Sequence, residues 1–128
     1  MSRDEPRPPS SRQLKVGEEL RHAIAEILIR GELHTPELEN YSVTVSEVKI
    51  SPDLKNALAF IMPLAGTDKE KVAKLLNDAA PHVRHLVSKK VYLRAVPRIK
   101  FILDHSFENA ERINRILQKD EVKRDTEN

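Results

Sequence analysis

The sequence predicts an α+β domain of two layers: a three-stranded sheet with its helices packed on one face. Apolar periodicity switches repeatedly between the helical and the strand interval. The switches give the element order α-β-β-α-kink-α-β-α. A strand that leaves for two helices and then returns to the same sheet places those helices on one side of it. With 128 residues there is room for one core, large enough to bury roughly two-thirds of the unfolded chain's surface.

The first helix is expected to begin near Ser10. Ser10 and Gln13 have capping-box spacing, and Val16, Leu20, Ala23, Ile24, Ile27 and Leu28 recur at helical intervals up to a stop at Gly31. Residues 32–40, with three Glu and no Lys or Arg, read as a solvated connector. From Tyr41 the period falls to two, with Val43 and Val45 on one face. Val48 and Ile50 continue one residue out of phase, which predicts a bulge near Ser46 and Glu47. Ser51, Pro52 and Asp53 form a turn. The run NALAFIM is apolar on both faces, the pattern of a strand covered on two sides, and completes a hairpin.

A second helix opens at Thr67, Asp68, Lys69 and Glu70, again with capping-box spacing, and carries Val72, Leu75, Leu76 and Ala79 on one face. Pro81 interrupts it, yet Val83, Leu86 and Val87 resume the helical spacing. Two helices therefore meet at a kink, with Pro81 an early residue of the second, where its missing N–H matters least. In a third strand Ile99, Phe101 and Leu103 face one way and Arg98 and Lys100 the other, ending at Asp104. Ser106 can cap a last helix with Phe107, Ala110, Ile113, Ile116 and Leu117 on one face. Residues 1–9 and 119–128 read as disordered tails around a domain of residues 10–118, since neither end holds enough apolar surface to offset its ordering entropy.

Charge is unevenly distributed along the chain. The segment Pro81–Leu103 carries six Lys or Arg and no acid; because net charge is +2, the remainder sums to −4. A concentrated basic segment is the electrostatic footprint of a phosphate-backbone binder. Arg84, His85, Ser88 and Lys89 share one helical face, opposite Val83, Leu86 and Val87, and Lys90, Arg94, Arg98 and Lys100 continue the charge into the loop and strand. Any one of these cations alone is ordinary solvated surface; the six together favour phosphate. Arg12, Lys15 and Arg21 extend the patch more weakly, since Glu18 and Glu19 lie among them. Tyr92 offers a ring for base stacking, although at a strand end it reads first as packed surface. Three Phe, two Tyr and no Trp leave backbone and shape recognition of RNA ahead of a base code.

Catalysis finds little support. His82 and His85 lie three apart on a helix with no carboxylate in the same turn, and read as surface histidines rather than metal ligands. No phosphate loop and no GxSxG elbow occurs. Asp53, Asp78 and Asp104 sit at turns or helix ends, where capping accounts for them. No enzyme activity, metal or cofactor is expected. The absence of Cys rules out disulfides and fits a reducing compartment. No apolar run approaches a membrane span, so a soluble cytoplasmic protein without membrane contact is expected. Two other classes stay open. In one, a protein-interaction adaptor exposes Phe107, Ile113, Ile116 or Leu117; in the other, a general nucleic-acid-binding module takes DNA.

The segments SPDLKNALAFI, LRAVPRIKFILDHS and FENAERINRIL, together with the kinked helix pair, resemble the bacterial ribosome-binding factor A family over roughly residues 10–118. That resemblance implies a KH-like domain of the second topological type. It also implies binding to the small ribosomal subunit and its rRNA, and help with late 16S rRNA processing and subunit maturation, notably in the cold, by a factor that is monomeric when free. An ordinary KH domain grips backbone through a GXXG loop. With only Gly17, Gly31 and Gly66 this chain has none, and neither does the family, whose Ala-x-Gly kink stands in its place. The matching positions are Ala79, Ala80 and Pro81, so a bend is expected at proline where the family has glycine.

Overall fold

The computed structural model describes residues 8–39, 41–64 and 68–105. Its elements are α1 (Ser11–Ile29), α2 (Pro36–Glu39), β1 (Val43–Ile50), β2 (Asn56–Pro63), α3 (Lys69–Asp78), α4 (Ala80–Ser88) and β3 (Arg98–Leu103). β2 is the central strand, antiparallel to β1 and parallel to β3. Helices α1, α3 and α4 pack on one face of the sheet and enclose a core that includes Leu20, Ile24, Ile27, Ile61, Leu76, Val83 and Phe101. The last helix expected from Ser106 onward lies outside the described residues.

Both ends of α1 follow from local chemistry. The Ser10 hydroxyl accepts the Gln13 N–H at 3.1 Å and Gln13 Oε1 accepts the Ser10 N–H at 2.9 Å, the reciprocal capping box. At the other end Gly31 takes φ +65°. The Glu32 N–H bonds Ile27 O and the Gly31 N–H bonds Leu28 O, closing the helix in a Schellman motif that a residue without Cβ adopts readily. The bulge falls where the phase slip placed it, between Val45 and Glu47. Ser46 Oγ there donates to Phe60 O at 3.3 Å and also to the Asp104 carboxylate, tying the bulge to the end of β3.

Three expectations are corrected. The connector 32–40 is not wholly solvated loop: Pro36–Glu39 forms a helical turn, Leu33 is buried and Leu38 packs on the core. The N-cap of α3 is Asp68, one residue later than expected, and its side chain accepts the Lys71 N–H at 3.2 Å; Thr67 lies outside the described residues. And among the described residues β2 is covered on one face only. Ala57, Ala59 and Ile61 are buried under the helices, whereas Leu58 is 37% exposed on the other face, with Phe60 and Met62 half-buried there. The open face is apolar although no described helix lies on it, which is why the two-sided apolar pattern suggested a second cover.

The helix pair breaks at Ala79, and Pro81 is the second residue of α4. Proline cannot bond the carbonyl four residues earlier, that of Asn77, and its ring displaces it. The break leaves Asn77 in the last turn of α3, beside β3. Its side-chain amide donates to Phe101 O and accepts the Phe101 N–H, each at 2.8 Å. Alternate β3 residues bond inward, as the Arg98 N–H to Lys55 O and the Asp104 N–H to Ile61 O show. Asn77 therefore pairs with the outer edge of β3 in place of a further strand, which protects an edge prone to misassociation. Asn77→Ala should lower stability by about 1–2 kcal/mol, since two half-buried backbone groups lose their partner. A urea midpoint unchanged from wild type would show the clasp to be idle.

Candidate nucleic-acid interface

α4 carries the first half of the basic segment because its apolar positions repeat at helical spacing. Val83 and Val87 are fully buried and Leu86 partly so, which turns Arg84, His85, Ser88 and Lys89 to solvent. Arg84 Nε donates to Val96 O at 2.9 Å. That bond holds the guanidinium against the segment leading into β3, while its Nη donors remain to meet a ligand. Lys89 is the C-cap of α4, where a cation also complements the helix dipole. Ser88 Oγ donates to His85 O at 2.5 Å, so its hydrogen is committed within the helix. His82, three residues before His85, is likewise exposed. No group of three or more His, Cys, Asp or Glu among the described residues is placed to hold a metal ion.

The remaining predicted residues separate. Lys90 Nζ lies 3.2 Å from Glu32 and 3.3 Å from Glu26, with only 23% of its side chain exposed. The hydrogen bond to Glu32 is the main cause of a pKa raised above the ordinary lysine value. The ammonium thus stays charged, but it ties the start of the α4–β3 loop to α1 and its Schellman turn. Arg94 is exposed in that loop. Tyr92, read first as packed surface, is fully exposed there, a bare ring between cations that can stack on a base. Arg98 and Lys100 are exposed too, but on the opposite side of the sheet from α4, since Ile99 and Phe101 between them point into the core. One run in sequence thus becomes two surfaces in space.

In the weaker extension on α1, Arg12 and Lys15 are exposed and Arg21 is neutralised. Arg21 pairs with Glu18 at 2.5 Å, and Glu18 also meets His22 at 3.0 Å. The hydrogen bond from Arg21 holds the Glu18 carboxyl below its usual range. Asp53 and Asp78 have local roles. Asp53 accepts from Ser51 Oγ and the Lys55 N–H, which lowers its pKa with Ser51 the larger cause, and Asp78 pairs with Lys74 at 3.1 Å. No described helix is long and apolar enough to cross a membrane.

The chain is similar to known proteins over most of its length. Residues 12–117 match the ribosome-binding factor A family. The ribosome-binding factor A of Paramagnetospirillum magneticum is 50% identical over 119 residues, covering 93% of this chain and 84% of that one. The crystal structure of the factor from Thermus thermophilus superposes with a TM-score of 0.59 at 23% identity, over 71% of this chain and 94% of that one. A homology model of the Thermus thermophilus factor, fitted into a cryo-EM map of its 30S complex, gives 0.56 at 20% identity, over 70% and 91%. These structures share the α+β, KH-like arrangement of three strands and one-sided helices.

Proposed function

Since the chain belongs to the ribosome-binding factor A family, a family of non-enzymatic factors, we propose that it acts in the cytoplasm as a monomer on the maturing small ribosomal subunit. There it holds rRNA against the outward face of α4 during late 16S processing, notably in the cold. The observation that carries this reading is the pair Arg84 and Lys89 on one exposed helical face with no acid between Pro81 and Leu103. His85 lies between them, and the adjoining loop adds Arg94 and Tyr92. The residues Ala79, Ala80 and Pro81 set the angle at which α4 is presented, without the close backbone approach that a glycine permits.

Backbone contacts of this kind depend on salt, because each phosphate neutralised releases counterions. If about four cations engage single-stranded phosphates, log affinity falls against log salt with a slope of order −3. Arg84→Glu with Lys89→Glu should lower that slope by roughly 1.4 and weaken binding at least about tenfold. The decisive measurement is co-sedimentation with free small subunits and with mature ribosomes. Binding by the charge-reversed form equal to wild type would remove the site while leaving family membership untouched. Failure of wild type to bind either particle would remove the function, and duplex DNA bound as tightly as structured RNA at fixed salt would favour a general nucleic-acid module.

A further inference from the structure

We propose that the open face of the sheet is a second nucleic-acid surface, separate from α4, that takes single-stranded RNA across Leu58 and Phe60. The inference rests on the RNA-binding reading above and adds a site to it. Strand register sets the geometry: Lys49 of β1 and Lys100 of β3 are both aligned with Leu58 of β2, so one cation stands on each side of an exposed leucine. The two outer strands are about 10 Å apart, twice the spacing between neighbours. Arg98 is aligned with Asn56 in the next row. Together Lys49, Asn56, Leu58, Arg98 and Lys100 line a shallow open groove of about 600 Å³.

The row on the other side of Leu58 is Glu47, Phe60 and Ile102. Lys49 Nζ lies 5.4 Å from the Phe60 ring centroid, within cation–π range. A base replacing that ammonium over the ring leaves Lys49 free to swing to a phosphate. The face therefore has an apolar strip with cations on both sides, the layout in which bases lie on the strip and the backbone on the charges. A duplex keeps its bases inward and cannot use the strip. The acids of this face stand beyond the groove, at its other end: Glu47 in the Phe60 row, and Asp104, which continues the β3 alternation past Ile102 and accepts from Ser46 across β2. The strand therefore lies across the end nearer the 51–55 turn.

An acidic amphipathic peptide carries the same two chemical ingredients, and the test separates it from RNA. Fluorescence anisotropy would follow a ten-residue oligouridine and an RNA stem-loop bound to the full chain, to Lys49→Glu with Lys100→Glu, and to Arg84→Glu with Lys89→Glu. The sheet variant should lose about tenfold or more on the oligouridine and less than about threefold on the stem-loop, with the α4 variant reversed. Lys49→Gln with Lys100→Gln, the gentler change, should lose about threefold, and melting curves matching wild type establish that each variant is folded. Oligouridine binding as tight in both folded sheet variants as in wild type overturns the proposal. So does displacement of the oligouridine by an equal concentration of polyglutamate. Wild type that binds the stem-loop but not the oligouridine overturns this inference alone; wild type that binds neither overturns the α4 reading as well.

Discussion

Phe101→Ala is expected to reduce the unfolding free energy by about 3–5 kcal/mol and the melting temperature by roughly 10–20 °C. Phe101 is 1% exposed and the largest of the fully buried side chains among the described residues. It sits in the strand on which α3 and α4 both pack, so its ring fills the space between the kinked pair and the sheet. Truncation removes the transfer free energy of the ring and leaves a void, because a backbone held at residue 101 by both arms of Asn77 cannot collapse inward. The clasp therefore adds to the cost of the cavity. A calorimetric or denaturant measurement giving less than about 1.5 kcal/mol, well under the usual cost of a buried phenylalanine, would mean that the helices close over the gap and that the clasp is softer than its geometry implies.

Gly17→Ala carries the second large effect, and its sign is opposite to the one helix propensity predicts. Glycine inside a helix costs about 1 kcal/mol relative to alanine, so replacing it in isolation should stabilise α1. Here a Cβ at position 17 would lie 2.5 Å from the backbone oxygen of Val48, and a strand carbonyl cannot rotate away as a side chain does. One turn earlier Gln13 Nε2 donates to Ile50 O at 2.8 Å, so α1 is anchored close along β1 and cannot lift without breaking that bond. Overpacking of this kind costs about 1–3 kcal/mol. An approach this close to backbone belongs at the upper end, about 3 kcal/mol, so after the propensity gain of about 1 kcal/mol the net loss in a urea titration should be about 2 kcal/mol. A rise in stability would show that α1 can slide outward over β1.

Much of the fold is legible in the residues because local signals agree with one another. Ser10 with Gln13, Gly31 with its left-handed backbone, the phase slip at Ser46 and Glu47, and Pro81 with the resumed apolar spacing each state a local preference that the packed structure keeps. The candidate site is less legible. Spacing on α4 correctly turns Arg84, His85 and Lys89 outward, since a helical face is a property of the segment itself. It cannot say that Lys90 is occupied by Glu26 and Glu32, which lie far back in the chain, nor that Tyr92 stands clear of the core. Lys49 on the sheet face gives no signal at all until the register of β1 places it opposite Leu58.

Taken alone, the sequence determines the order of the main described elements, both ends of α1, the bulge, the site of the bend and the existence of a concentrated positive charge. Each depends on dihedral preference, hydrogen bonding within a few residues or simple charge count. Tertiary structure decides how that charge is divided, because β3 alternates its side chains across the sheet and sends Arg98 and Lys100 away from α4. It likewise gives Gly17 and Asn77 their importance, since a close approach to Val48 and a clasp on Phe101 exist only between segments far apart in the chain.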